Sequence, residues 1–147
     1  MNKYIIIIDI DGTIANKHPD RDYREYDKVH LDSPIHQTII VINLLIKEGY
    51  KPIFITGRKD DCKKETTDWL NDHLGSFDYD NILYMRKSKD HRKDFVVKKE
   101  LLNKFLNDFN IPKENIFAVF DDRPSVIDMW IEEGLFVFNM NNGRGDF

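Results

Sequence analysis

Two carboxylates stand two residues apart in "IIIIDIDGT", residues 5–13: Asp9 and Asp11, followed by Gly12 and Thr13. In extended backbone, alternate residues project to one side, so both acids face the same space. Carboxylates held so close repel unless a cation lies between them or one keeps its proton. The pair therefore suits metal-assisted or acid–base chemistry, although an isolated Asp-Gly-Thr also serves as a surface turn. A calcium loop fits less well. With Asp9 counted as first, its glycine belongs sixth and a Glu twelfth, whereas Gly12 is fourth and the twelfth residue is Asp20.

Three further groups carry chemical potential. Thr56, Gly57 and Arg58 offer a hydroxyl, an uncrowded backbone N–H and a guanidinium. Together these can hold a phosphoryl group, or simply end a strand. Lys98 falls in the first turn of a predicted helix, where the dipole disfavours a cation. It either covers core with its stem or is held toward an anionic site, with Lys93 as the competing lysine. Asp121 and Asp122 follow "FAVF" directly; a helix N-cap accounts for one of them but not both.

The elements that must position these groups can be read from apolar periodicity and turn residues. Strands are expected at residues 4–9, at "KPIFIT", at "NILYM", at "NIFAVF" ending on Asp121, and at "LFVF". A helix is expected from Ser33 as N-cap and Pro34 at its first position, with a stripe of Ile35, Ile39, Ile42 and Ile46, ending at Gly49. Others are expected at residues 60–74, at "DFVVKKELLNKFLNDF" and at "RPSVIDMWIEEG", while residues 16–33 read as a polar loop. Strands alternating with helices imply an α/β, doubly wound, Rossmann-like parallel sheet of about five strands with helices on both faces. Ligands bind such sheets beyond the carboxyl ends of the strands, which is where the acids, "TGR" and "FDD" fall.

Apolar residues make up 41% and charged residues 33% of the 147 positions, a globular composition read as one domain, 1–147. The net charge of −4 makes the whole surface no general attractor for polyanions. The single cysteine, Cys62, and the lack of a signal or an apolar run of membrane-spanning length lead to an expected cytoplasmic location with no membrane partner.

In the order "DIDGT", "TGR", downstream lysine and "FDDR", the chain resembles the haloacid-dehalogenase-type phosphohydrolases over nearly its whole length. The stretches "RKDFVVKKE", "DDRPSVIDMWIEEG", "RDYREYDKVHLDSP" and "GDF" look like the 3′-phosphatase domain of bacteriophage polynucleotide kinase-phosphatase. The resemblance implies that Asp9 is the nucleophile and forms an aspartyl-phosphate. It implies that Asp11 is the acid and then the base, with Thr56 and Lys98 neutralising the phosphoryl oxygens. It places Mg²⁺ among Asp9, the Asp11 carbonyl, Asp121 and Asp122. Arg21, Arg58, Arg86 and Asp94 match further functional positions, and Thr13 and Gly57 belong with the substrate-binding set. A phage origin would place the enzyme in the host cytoplasm.

The implied substrate is a nucleic-acid 3′-phosphate end, DNA or RNA. The basic run at residues 86–93 either follows the phosphate backbone or is a solvated loop. No insertion is long enough for a large cap domain. No Gly-x-x-x-x-Gly-Lys-Ser/Thr loop is present, so a stand-alone phosphatase without kinase activity is expected. For Asp11 to hold a proton at neutral pH, its pKa is expected to be raised by burial and acidic neighbours. Rival readings are a nucleotidase or small-molecule phosphatase of the same fold, a phospho-acceptor signalling domain, and an inert nucleic-acid-binding relic. A phospho-acceptor domain would carry its adjacent acids after the first strand rather than the fourth.

Overall fold

A computed structural model describes residues 3–147. Four isoleucines make strand β1, Ile5–Ile8, and all are buried. Their alternation explains the run. Ile6 and Ile8 enter one core with Ile39, Ile42, Trp69 and Leu70, while Ile5 and Ile7 enter a second with Leu102, Phe105, Val126 and Trp130. A strand covered on both faces has no solvated side and so needs no polar alternation.

Around β1 the chain forms β2 (Ala15–Asn16), β3 (Ser33–Pro34), α1 (His36–Lys47), β4 (Lys51–Lys59), α2 (Lys63–Leu74), α3 (Tyr79–Ile82), β5 (Leu83–Arg86), α4 (Asp94–Phe109), β6 (Ile116–Asp121), α5 (Pro124–Glu132) and β7 (Val137–Asn139). The main sheet has the order β5-β4-β1-β6-β7, and all four pairings are parallel. From β1 the chain winds outward through β4 to β5, then crosses to β6 and β7. Strand order therefore reverses between β1 and β6, and the crevice at their carboxyl ends lies beside Asp9 and Asp121. Helices α1 and α2 cover one face; α4 and α5 cover the other.

Several boundaries differ from the sequence reading. Ser33 is not an N-cap and Pro34 is not helical: both pair antiparallel with Ala15–Asn16, and α1 begins at His36. The Ile35 amide donates to the Ile14 carbonyl, which ties this segment to the turn after β1 before the helix can start. The third strand loses its first residues to the short helix α3, capped by a bond from the Leu83 amide to the Tyr79 carbonyl. Strand β4 runs on through Gly57 and Arg58 to Lys59. Residues 17–32 are less irregular than expected, because Tyr26–Leu31 forms a 3₁₀ helix packed on α2. The Trp69 indole donates to the Asp32 carbonyl at 2.9 Å and pins this loop to α2. Among the described residues no large cap stands over the sheet, and no helix is long and apolar enough to cross a membrane.

Candidate active site

Asp9 follows β1 directly and is 5% exposed; its amide donates to the Phe120 carbonyl and so locks it beside β6. Each of its carboxylate oxygens has a donor. The Lys98 ammonium lies 2.9 Å from Oδ1 and the Thr13 hydroxyl 2.8 Å from Oδ2. The same ammonium lies 2.9 Å from Asp121 Oδ2, which also accepts the Trp130 indole N–H at 3.1 Å. Carboxylate oxygens of Asp9, Asp121 and Asp122 all lie within 4.8 Å of one another. One buried ammonium thus faces a buried cluster of three acids.

The buried face of α4 runs Val97, Lys98, Leu102 and Phe105, leaving Phe109 partly exposed. Lys98 therefore lies inside the buried stripe of this helix. Burial works to lower the Lys98 pKa, but the charges of Asp121 and Asp9 outweigh it and hold the ammonium protonated. The competing Lys93 is exposed at the N-terminus of α4, and the ammonium that bonds Asp9 is that of Lys98.

Asp9 and Asp11 sit in opposite electrostatic settings. Burial, followed by the neighbouring Asp121 charge, pushes the Asp9 carboxyl well above the usual carboxylate range, with Lys98 opposing. Asp122 is also pushed up, first by burial and then by Asp121. Desolvation works upward on Asp11 too, but the Arg58 charge and hydrogen bonds, with help from Arg21, hold it below its ordinary value. This overturns the expectation that Asp11 is raised. The reason is tertiary: Arg58, 47 residues away, places Nε 2.9 Å and Nη2 2.7 Å from the two Asp11 oxygens.

Arg58 is buried, with Nη1 donating to Thr66 at 3.1 Å and Nη2 lying 3.5 Å from Asp32. It grips Asp11 rather than standing free for a phosphate. Arg58→Gln is therefore expected to let the Asp11 carboxyl rise. If Asp11 is the proton donor, the alkaline limb of kcat/KM moves to higher pH even as the maximum rate falls. An unshifted limb in a pH–rate series of the folded variant removes Asp11 from that role.

The other expected residues surround this centre. Thr56 is buried within β4, three residues before its end; its oxygen accepts the Arg58 amide, which leaves the hydroxyl proton free to donate. Gly57 lies under Asp94, and an added Cβ there would come 2.7 Å from Asp94 Oδ1. Gly12 has φ +81°, and a Cβ would overlap the Asp122 carboxylate, so the turn after β1 and the end of β6 close on each other only with glycine. Arg21 is buried and bidentate on Asp32, at 2.9 and 2.7 Å, with Nη2 3.7 Å from Asp11 Oδ1. Arg86 donates to the Gly57, Asp90 and Arg92 carbonyls and to Asp94, so it shapes the following loop. Within the basic run, Arg92 is neutralised by Asp90 and Glu100, which leaves Lys87, Lys89 and Lys93 as its exposed cations.

Sequence reasoning missed several groups here. Asp32 orients Arg21, Trp130 holds Asp121, and Arg144 donates to Asp122 Oδ2 and the Gly12 carbonyl, both at 3.0 Å. Only Asp32 had a sequence signal, the Asp-x-Pro before α1.

The donor set suits a hard divalent cation. Asp9, Asp121 and Asp122 offer carboxylate oxygens, the class Mg²⁺ takes, and three buried acids outnumber the one buried ammonium, Lys98.

The chain is similar to several known proteins. The sequence profile of the family described as "Polynucleotide kinase PNKP phosphatase domain" matches residues 3–147. A putative bifunctional polynucleotide kinase/RNA ligase of Autographa californica nuclear polyhedrosis virus is 32% identical over 127 residues, 85% of this chain and 17% of that protein. A chain of the Pnkp1/Rnl/Hen1 complex superposes with TM-score 0.77 at 30% identity, over 92% of this chain and 44% of that one. In a second structure, of the Pnkp1/Rnl/Hen1 RNA repair complex, the values are 0.78, 29%, 92% and 41%. The chain thus spans less than half the length of these relatives. A D,D-heptose 1,7-bisphosphate phosphatase from B. bronchiseptica, solved with magnesium and phosphate, shares the fold at TM-score 0.62 and 13% identity.

Proposed function

This chain belongs to the haloacid-dehalogenase-type family of polynucleotide kinase PNKP phosphatase domains, and from that premise we propose that it is a Mg²⁺-dependent phosphatase that removes the 3′-phosphate from polynucleotide ends through an aspartyl-phosphate on Asp9. The observation that carries the reading is the Asp9 carboxylate at the strand-order switch, bonded to Lys98 and Thr13, with Asp11 on the more open side, where its side chain is 44% exposed.

Asp9, Asp121 and Asp122 would hold the metal through carboxylates, and Asp11 through its backbone carbonyl. When bound, Mg²⁺ supplies the positive charge that the acids and the phosphoryl oxygens lack. Asp9 attacks phosphorus, and the bond from phosphorus to the leaving 3′-oxygen breaks. Lys98 and the free Thr56 hydroxyl proton meet the phosphoryl oxygens as charge builds on them.

The leaving oxygen takes a proton from Asp11. In the free protein Arg58 holds this carboxyl low. An arriving phosphoryl group competes for the same guanidinium and adds its own negative charge beside Asp11, and both effects raise its proton affinity. Once ionised again, Asp11 accepts a proton from the water that attacks the aspartyl-phosphate, and inorganic phosphate leaves. Because no large cap stands over the sheet among the described residues, a bulky strand end can reach Asp9.

Two measurements test this reading together. Turnover is expected to vanish in excess chelator and return with Mg²⁺. A 3′-phosphate oligonucleotide is expected to exceed both a 5′-phosphate oligonucleotide and a mononucleotide in kcat/KM. Full activity in chelator defeats the metal assignment, and preference for the mononucleotide turns the reading to a nucleotidase.

A further inference from the structure

We propose that Phe147, with Arg123 and Arg144, forms a stacking platform for the nucleobase of the residue that bears the phosphate. The proposal rests on the polynucleotide-end reading above and names a contact made outside the phosphoryl site.

The platform is built outward from the catalytic rim. Arg144 donates to Asp122 Oδ2 and to the Gly12 carbonyl, so one end of it is rooted on an expected metal ligand. Its guanidinium carbon lies 5.5 Å from the centre of the Phe147 ring. The Arg123 guanidinium carbon lies 5.1 Å from the same ring, and its Nε is 3.3 Å from Asp94 Oδ2. A chain of contacts therefore runs along the mouth from the turn after β1, through Arg144, Phe147 and Arg123, to Asp94 above Gly57.

Phe147 is 52% exposed. Single exposed apolar side chains are ordinary on any surface and need no ligand. This ring differs because, among the described residues, it is the one aromatic approached by two guanidiniums. The cations hold it in place at the lip of the site instead of leaving it to turn in solvent.

A half-exposed aromatic ring with two arginines over it matches a base joined to phosphates. Stacking uses a π-face common to every base, and guanidiniums suit phosphate oxygens. One arginine links the ring to Asp122, which places the ring within reach of the nucleoside whose phosphate sits at Asp9. Such a contact adds affinity for a strand end without selecting its sequence.

The test compares wild type, Phe147→Ala and Phe147→Trp on three substrates: a 3′-phosphate oligonucleotide, the same strand with an abasic terminal residue, and p-nitrophenyl phosphate. In wild type the intact end is expected to exceed the abasic end in kcat/KM. In Phe147→Ala that ratio is expected to fall roughly tenfold, mainly through KM, and Phe147→Trp should retain it. An unchanged ratio in Phe147→Ala, or an equal loss on all three substrates, overturns the platform while the phosphatase reading stands. A wild-type protein with no turnover of the 3′-phosphate oligonucleotide overturns both.

Discussion

Asp9→Asn is expected to lose at least about 10⁴-fold in turnover and all trappable phospho-enzyme, while the folded protein becomes no less stable. The two halves of this expectation share one cause. Asp9 is buried among Asp121 and Asp122, and its carboxyl is pushed well above the usual range. An acid whose folded pKa is raised destabilises the fold at any pH above its unfolded value, because its charge is harder to carry in the native state. That cost sets in as pH rises through the unfolded value and is fully present above the folded one.

Asn keeps the shape and removes the charge, and Lys98 retains Asp121 as its partner. The thermal midpoint in chelator near neutral pH should therefore hold or rise by roughly 2–4 °C. Single-turnover assays with labelled phosphate and thermal melts on the same preparation check both halves. Near-normal turnover in a folded variant would rule out attack by Asp9. A sharply lowered midpoint would show that the native charge cluster stabilises the apo fold.

Lys98→Met is expected to damage both activity and fold. Lys98 is 3% exposed and bridges Asp9 and Asp121 at 2.9 Å each. Met fills a similar volume without the charge, so the change isolates electrostatics from packing. Removing one partner of a buried ion pair leaves the others uncompensated, which costs on the order of 3–5 kcal/mol. Loss of a cation placed for the developing phosphoryl charge costs about 10²–10³-fold in kcat.

The Lys98 pKa is raised, so its ion pairs contribute stability at all pH values below the ordinary lysine range, provided that the acids are ionised. The stability gap between Lys98→Met and wild type should therefore be wide near neutral pH and narrow on acidification, as Asp9 takes up its proton. Mg²⁺ should restore part of the lost midpoint, because the variant has three buried acids and no ammonium. Denaturant melts across pH, with and without Mg²⁺, measure this. An unchanged midpoint in chelator would mean that Lys98 is not the cluster's counter-charge.

The sequence alone determined the frame and most of the chemistry-bearing residues. Local pattern suffices for this: a short β-branched apolar run that stops at an acid reads as a buried strand, and α5 falls within the expected helix, with Pro124 at its first residue and Gly134 just past its end. It also placed Lys98 in the first turn of a helix, where the dipole already made its charge anomalous. The start of α1 was misread because Ser33–Pro34 has helix-start chemistry, yet its backbone is used in pairing with Ala15–Asn16.

What the sequence could not supply was which distant charge meets which acid. Asp9 and Asp11 are near neighbours of the same type, yet one is held high by burial and Asp121 and the other low by Arg58. The same limit hid Arg144, 22 residues from Asp122 and 132 from Gly12. Coulomb energy falls with distance in space, not along the chain, and burial lowers the dielectric that would screen it. Proton affinity is therefore a property of the folded packing around a carboxylate, and only the tertiary structure decided which of the two acids was raised.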